Sequence, residues 1–312
     1  MNIKEFADHV FEKHPARFTR KEKERFFDSA KQFLFDNGVS EDEVKVVKFK
    51  GAMKSQNLVI GDPSAEYVFT AHYDTPGKTG WMLCTSPIFG QTGANIFVLL
   101  AIFLLVPILH IAVDQLFGTD NFISSLAYEL CLLVIMFGTM FIKNKNNRND
   151  NTSGSLAVLN LAVMAQQDPE FKSKCCFILF DNEEWGLIGS GSHAKWLKKN
   201  KIDASKSTYI NLDCIGYGDV LLAAKTPGKN TAFAPITEHL SAAGLNVKKK
   251  TSSMIFMSDH ANFKNSVMLG YVKRSLIGPL YIPKIHTGRD KICEMDKVTE
   301  LCDSLKDYTT RA

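Results

Sequence analysis

The stretch Cys175–Gly186, CCFILFDNEEWG, decides how the rest of the chain is read. Its first half is an apolar run of the length expected for a buried strand, and its second half delivers Glu183 and Glu184 side by side at the strand's end. Neighbouring like charges repel, and burying either carboxylate is costly unless something compensates. A cation is the natural compensator, and the surrounding sequence indicates which kind.

Outward from this run, strands and helices alternate with short connections. Residues 3–14 and 19–36 read as helices, the second opening at Thr19 and closing before Gly38. EVKVVKFKG alternates like a half-buried strand, and NLVIGD can pair with it as a hairpin. EYVFTAHYDT reads as a strand that ends in polar residues. NDNTSG opens a helix through about Gln167, and a helix around 188–199 follows the CCFILF strand. Then come strand STYINLDCIG, strand DVLLAAK, a helix near 232–243, strand LGYVKRSLI, the segment LYIPKIHTGRD and a last helix from about Asp296. This order predicts an open α/β sheet covered by helices on both faces.

In such sheets ligands bind outside the carboxyl ends of the strands. Those ends carry His72 and Asp74, Glu183 and Glu184, Asp213 and His286, while Asp150 opens a helix. Histidine and carboxylate without cysteine suit zinc or a related divalent ion, whereas an all-oxygen set would suit magnesium or calcium. Singly, each motif has a plainer reading: HxD as a satisfied ion pair, paired glutamates as a solvated surface, Asp-Asn-x-Ser-Gly as a helix cap. Their joint placement at strand ends carries the metal reading. GSGSH (189–193) reads as the start of a helix rather than a dinucleotide fingerprint, and HExxH, GxSxG and P-loop motifs are absent from the sequence.

Composition narrows the class. Charged residues make up 22% and apolar residues 45% of 312, so the chain is not of disordered type. The net charge of +4 includes Lys143, Lys145 and Arg148 in one short segment, and no basic, aromatic-laced stripe suggests nucleic acid. Seven cysteines without a CxxC suggest neither a disulfide framework nor a thiolate metal site, and fit a reducing compartment. The N-terminal residues carry charges throughout and do not resemble a signal peptide.

Two apolar runs interrupt this pattern. Ile96–Val113 carries no formal charge, and Phe122–Ile142 carries only Glu129. Each is long enough to cross a hydrocarbon core of roughly 30 Å as a helix. Neither shows an amphipathic stripe, which favours a transmembrane hairpin over a helical pair buried in a soluble homo-oligomer. The connector 114–121 is acidic and KNKNNR (143–148) is basic, so both outer ends are expected in the cytoplasm. His110, Pro107 and Glu129 are expected to face protein or a wet cavity rather than lipid. The organisation is thus a catalytic domain (1–92 and 144–312) interrupted by a hairpin (93–143) with helices at about 96–113 and 122–142.

The motifs HYD, DNTSG, NEEWGLIGS, INLD and IHTGRD, in this order, resemble the co-catalytic zinc aminopeptidases of the leucyl-aminopeptidase and glutamate-carboxypeptidase type. The resemblance implies a three-layer α/β sandwich around a mixed, mainly parallel sheet. It implies two zinc ions per subunit, with cobalt or manganese as substitutes. His72 and Asp213 would hold one ion, Glu184 and His286 the other, and Asp150 would bridge them. Asp74 would fix the tautomer of His72, and Glu183 would act as general base toward a bridging water. The implied substrate is a peptide with a free N-terminus. SDHANF (258–263) also resembles a family segment beside the substrate pocket; on its own it reads equally well as a turn. The departure from the family is the insertion between His72 and Asp150, which brings a lipid bilayer close to the site. Two rivals share parts of this pattern: the single-zinc glutaminyl cyclases of the same fold, and non-catalytic receptors that have lost their ligands.

Overall fold

The computed structural model describes residues 1–51, 53–78, 87–117, 128, 130, 134, 138–227, 230–251 and 256–311. Two helices come first, α1 (Ile3–Lys13) and α2 (Arg20–Asp36). Each opens on a capping box, Asn2 with Glu5 and Thr19 with Glu22, so that side chains satisfy amides that have no partner inside the helix. On α2 the buried stripe Phe26, Phe27, Ala30, Phe33 and Leu34 repeats at helical spacing and faces the sheet.

Strands β1 (Val44–Phe49) and β2 (Ser55–Ile60) form an antiparallel hairpin, and β3 (Tyr67–His72) ends at the first candidate ligand. After the insertion come α4 (Gly154–Gln166), α5 (Pro169–Lys174), β4 (Cys175–Phe180), α6 (Ile188–Lys199) and β5 (Thr208–Leu212). The chain closes with β6 (Val220–Lys225), α7 (Phe233–Ala242), β7 (Val247–Thr251), β8 (Ser266–Arg274), β9 (Leu280–Tyr281) and α8 (Met295–Arg311). The sheet order is β1-β2-β4-β3-β5-β8-β6-β7, with β9 paired to β8. The four central strands β4, β3, β5 and β8 run parallel, so their carboxyl ends open on one edge.

Period-two alternation builds both faces of the sheet. Phe69, Phe177, Leu179, Ile210 and Leu212 join the larger core, while Val68, Cys176, Ile178, Phe180 and Tyr209 join a second core. The larger core takes in residues of α1, α2, α4 and α8, and the second takes in α6. Three elements depart from the sequence reading. Strand β7 was not expected; its VKKKT carries no apolar alternation and is an exposed edge beside β6. Helix α5 was not expected either, and β8 starts at Ser266 rather than Leu269.

The first apolar run lies within α3 (Gly90–Phe117), longer at both ends than expected, with Pro107 inside it. The second run falls mostly outside the described residues, as do Glu129 and 118–121 of the connector. Its last part is a 3₁₀ turn at Gly138–Phe141, so a regular helix does not continue to Ile142. Tyr128 donates its hydroxyl to the Val106 carbonyl at 3.0 Å and packs on His110, which places part of the second run against α3. Among the described residues no helix is long and apolar enough to cross a membrane.

Both roots of the insertion are fastened beside the open edge of the sheet. Leu276 N donates to Pro87 O and Ile277 N to Ile88 O at the start of α3. At the other root Lys78 N donates to Ile142 O, Asn144 N to Pro76 O, and Lys143 pairs with Glu22 at 2.6 Å.

Candidate metal centre

The parallel strands set the cluster. β3 delivers His72, and the turn behind it delivers Asp74; β4 runs into Asp181–Glu184, and β5 into Asp213. Asp150 precedes α4, whose start is pressed against the end of β5. A Cβ on Gly154 would lie 2.2 Å from Leu212 O and 2.4 Å from Asn151 Oδ1, so only glycine lets the helix approach there. His286, in the loop after β9, has φ +55 in the left-handed region.

Distances bring five of these side chains together. His72 Nε2 lies 3.4 Å from Asp150 Oδ1 and 3.7 Å from Asp213 Oδ1. On the other side His286 Nε2 lies 2.9 Å from Asp150 Oδ2 and 3.1 Å from Glu184 Oε2. Asp150 therefore turns one oxygen toward each histidine. The sets His72–Asp150–Asp213 and Asp150–Glu184–His286 each offer ligand atoms within 4.8 Å of one another, as does His72–Glu183–Glu184.

The supporting contacts fix this geometry. Asp74 Oδ1 lies 3.6 Å from His72 Nδ1 and accepts from Glu183 N at 3.0 Å, and Asp74 Oδ2 accepts from Glu184 N at 3.4 Å. One carboxylate thus holds a histidine and the backbone of both glutamates. Asp290 does the same for the segment that carries Asp150, accepting from Asn149 N and, at 2.9 Å, from Asp150 N. The fully buried Arg17 donates to Tyr73 O and to Thr152 Oγ1, which ties the turn after β3 to the segment before α4.

The electrostatics are those of a buried anionic cluster. Burial raises Glu184 to about 7, with His286 opposing and Asp150 adding to the shift. Burial also pushes Glu183 well above the ordinary carboxylate range, against the attraction of His72. For both histidines burial favours the neutral ring, yet the carboxylates outweigh it: Glu183 first for His72, Glu184 first for His286, and both are raised. Asp290 is raised to about 8 and Asp259 to about 7 by burial, while burial lowers Arg17 to about 10 despite Asp74 and Asp150. Glu184 Oε1 is buried without a hydrogen-bond donor among the described residues. This donor set fits divalent ions: imidazole with carboxylate oxygens, in excess negative charge and with a ligand-grade oxygen left over.

Three contributors escaped the sequence reading. Asp290 was visible only as the last letter of IHTGRD, without a role. Arg17 sits in the unremarkable HPARF and gave no signal. Asp259 lies in the singled-out SDHANF segment, which forms a 3₁₀ turn at Asp259–Asn262 with Asp259 and His260 fully buried.

Comparison with known proteins agrees with this architecture. Over 109 residues the chain is 35% identical to the probable lipoprotein aminopeptidase LpqL of Mycobacterium tuberculosis, a match covering 34% of this chain and 20% of that protein. The chain thus matches about one fifth of that curated relative's length. Among solved structures it is similar to the LapA aminopeptidase of Legionella pneumophila, with TM-score 0.62 and 15% identity over 99% of this chain and 69% of the other. A Zn-dependent exopeptidase from Parabacteroides distasonis matches with TM-score 0.62 and 15% identity, covering 100% of this chain and 98% of that one. Porphyromonas gingivalis glutaminyl cyclase matches with TM-score 0.58 and 14% identity over 98% and 94%. At these identities the structural likeness is one of fold. The model described as peptidase family M28 matches residues 142–301, more than half of the chain, and the chain belongs to that family.

Proposed function

We propose that this protein is a zinc-dependent aminopeptidase, anchored to a membrane by residues 93–143, that removes the N-terminal residue from peptides with a free amine. The observation that supports it best is Asp150, whose two oxygens face two separate histidine–carboxylate pairs. His72 and Asp213 would hold one ion and Glu184 and His286 the other, with Asp150 shared. Bound zinc would polarise the scissile carbonyl and make a water acidic enough to lose a proton near neutral pH.

The chain's own groups supply the rest. Glu183 lies beside the ligands without being assigned to either pair; it takes the proton of the attacking water and returns it to the leaving amine. Asp74 holds His72 through Nδ1 and fixes the backbone of Glu183, so the base and one ligand keep their separation. The carboxylates crowding the cleft favour a substrate that brings a cationic amine.

The hairpin reading rests on the length and apolarity of the two runs and on the basic flank after the second. In this reading both roots and the cleft face the cytoplasm, and 114–121 lies outside. A membrane-impermeant thiol probe on intact cells should label a cysteine at Gly118 and not one at Asn146; the reverse pattern would invert the topology.

A panel of aminoacyl chromogenic substrates tests the activity. Hydrolysis should vanish with chelator and return with zinc or cobalt, and an acetylated N-terminus should make a peptide a poor substrate. Activity that survives complete metal removal would exclude this chemistry. Ammonia release and ring closure on N-terminal glutamine, in place of hydrolysis, would indicate the cyclase reaction.

A further inference from the structure

Next to the metal centre lies a second, oppositely charged feature. A groove of about 500 Å³ runs between the β1–β2 hairpin, the start of α2 and the loop after β4. Its walls include Lys48, Lys50 and Lys54, with Arg20 and the aromatic rings of Phe18 and Trp185. Lys48, Lys50 and Lys54 are exposed, and none has an ion-pair partner among the described residues. The acidic member of the wall, Asp181, is already neutralised by Lys23 at 2.6 Å, both being buried. The groove therefore carries an unspent positive charge. Ser55, at the start of β2, also belongs to its lining and is only 4% exposed. Three unpaired ammonium groups around one concave surface suit an anionic oxygen.

Position gives the groove its meaning. Asn182 and Trp185, both in its lining, flank Glu183 and Glu184 directly in the chain. Consecutive Cα atoms are about 3.8 Å apart, and an extended peptide advances about 3.3 Å per residue. A substrate whose scissile bond lies at Glu183 thus reaches the groove within roughly two to four residues downstream.

We propose that this groove is a specificity subsite that takes a carboxylate of the peptide's downstream part, so that the enzyme favours acidic or short free-acid peptides. The proposal rests on the aminopeptidase reading, because that reading makes the bound anion a peptide carboxylate. Exposed lysines also suit anionic lipid, but a flat bilayer surface does not enter a concave groove between two elements. The aromatic walls add stacking and cation–π surface for a peptide chain.

Three peptide series sharing one N-terminal residue separate the two carboxylate sources in the full-length protein. The first is neutral with an amidated C-terminus, the second carries downstream Asp or Glu with an amidated C-terminus, and the third is neutral with a free C-terminal carboxylate. kcat/KM should be about tenfold higher for at least one anionic series than for the neutral one, the size expected of two or three partly exposed ion pairs. The triple variant Lys48→Gln, Lys50→Gln, Lys54→Gln should bring the ratio to within about twofold of unity. It should leave hydrolysis of aminoacyl chromogenic substrates, which have no downstream residues, unchanged. Equal rates for all three series in the wild type, or a preference that survives the triple variant, would overturn the proposal. So would a triple variant that loses only its binding to vesicles of phosphatidylserine and phosphatidylcholine. Should no substrate be hydrolysed, the aminopeptidase reading fails by itself, and calorimetric titration with the acidic peptide amide decides on the groove. Binding that weakens about tenfold in the triple variant supports it, and no binding to the wild type overturns it.

Discussion

The candidate metal cleft and the apolar segment around α3 meet at the open edge of the sheet, yet they are built on opposite terms. In the cleft the supporting polar groups are spent on one another, while Glu184 Oε1 and both Asp259 oxygens are left without a donor among the described residues. Asp74 serves His72, Glu183 and Glu184 at once; Asp290 serves Asn149 and Asp150; Arg17 bridges the two segments. Along α3 the reverse holds: Phe103 is 78% exposed and Ile108 62%, with Leu100, Leu104 and Ile111 also exposed. The cleft's geometry is thus over-determined by the chain's own contacts. The insertion's apolar surface is left for an environment that the catalytic domain does not supply, which in the proposed reading is the bilayer.

The roots show how the two are joined. Asn144 Nδ2 donates to Thr287 O and Asn146 Nδ2 to Gly288 O, so the segment after Ile142 is laced to the loop that carries His286. Trp185, one residue beyond Glu184, packs on Phe18 and on Phe141 of the 3₁₀ turn at Gly138–Phe141. Any force on residues 87–144 therefore arrives close to the candidate ligands, and the comparison can be broken by perturbing either side alone.

The largest effect is expected inside the cleft. Glu183→Gln should lower turnover by roughly 10²–10⁴-fold, the usual range for a general base, while metal content stays near wild type. Glu184→Gln should lose metal as well as activity. An outcome with those two results exchanged would assign the base to Glu184 instead.

A structural change beneath the site comes next. Gly154→Ala puts a methyl group against the Leu212 carbonyl, 2.2 Å away, in a place where backbone must move. Overpacking of this kind costs about 1–3 kcal/mol, and the shift of α4 should displace Asp150. Thermal unfolding and zinc content should fall together; a variant with normal stability and normal metal would contradict the close approach described here.

Behind the loop that carries Glu183, His193 packs among Phe180, Trp196 and Phe263, and neither ring nitrogen has a hydrogen-bond partner among the described residues. Burial lowers its pKa to about 4 from an ordinary 6.5. Between those values the unfolded chain binds a proton that the folded chain does not. Stability is therefore fully present above about pH 6.5 and is lost as pH falls toward 4, by about 2 kcal/mol at pH 5. His193→Phe should flatten this part of the pH dependence of the urea midpoint. An unchanged slope would mean that the ring is protonated in the fold.

The smallest effect on chemistry is expected from the insertion's exposed face. Phe103→Ser with Ile108→Ser should leave kcat/KM on aminoacyl substrates within about twofold, as for surface positions, while reducing retention in carbonate-washed membranes. Full retention would exclude those side chains from the proposed membrane contact.

How much of this was legible depended on periodicity and position. The central strands announced themselves through buried apolar runs such as CCFILF, and the cluster of histidines and carboxylates through polar residues at the ends of those runs. The start of α2 was written in its Thr19 cap. Strand β7 was not legible because an edge strand of lysines has no apolar side to alternate. Helix α5 carried a signal that was overlooked, Asp168 as cap with Pro169 in its first turn. Arg17 could not be found in the sequence, since its importance arises from being fully buried beside Asp74 and Asp150, residues far along the chain. The apolarity of the two runs was plain, but apolarity alone does not say what covers them.

The central claim is that Asp150 is shared between two ions, and zinc stoichiometry tests it most directly. Protein stripped with chelator and re-titrated should bind two zinc ions per chain, read by elemental analysis after gel filtration. Asp150→Ala should retain less than one, because the same residue completes both sets. Wild-type protein that saturates at one zinc or none, or an Asp150→Ala variant that still binds two, would contradict the account.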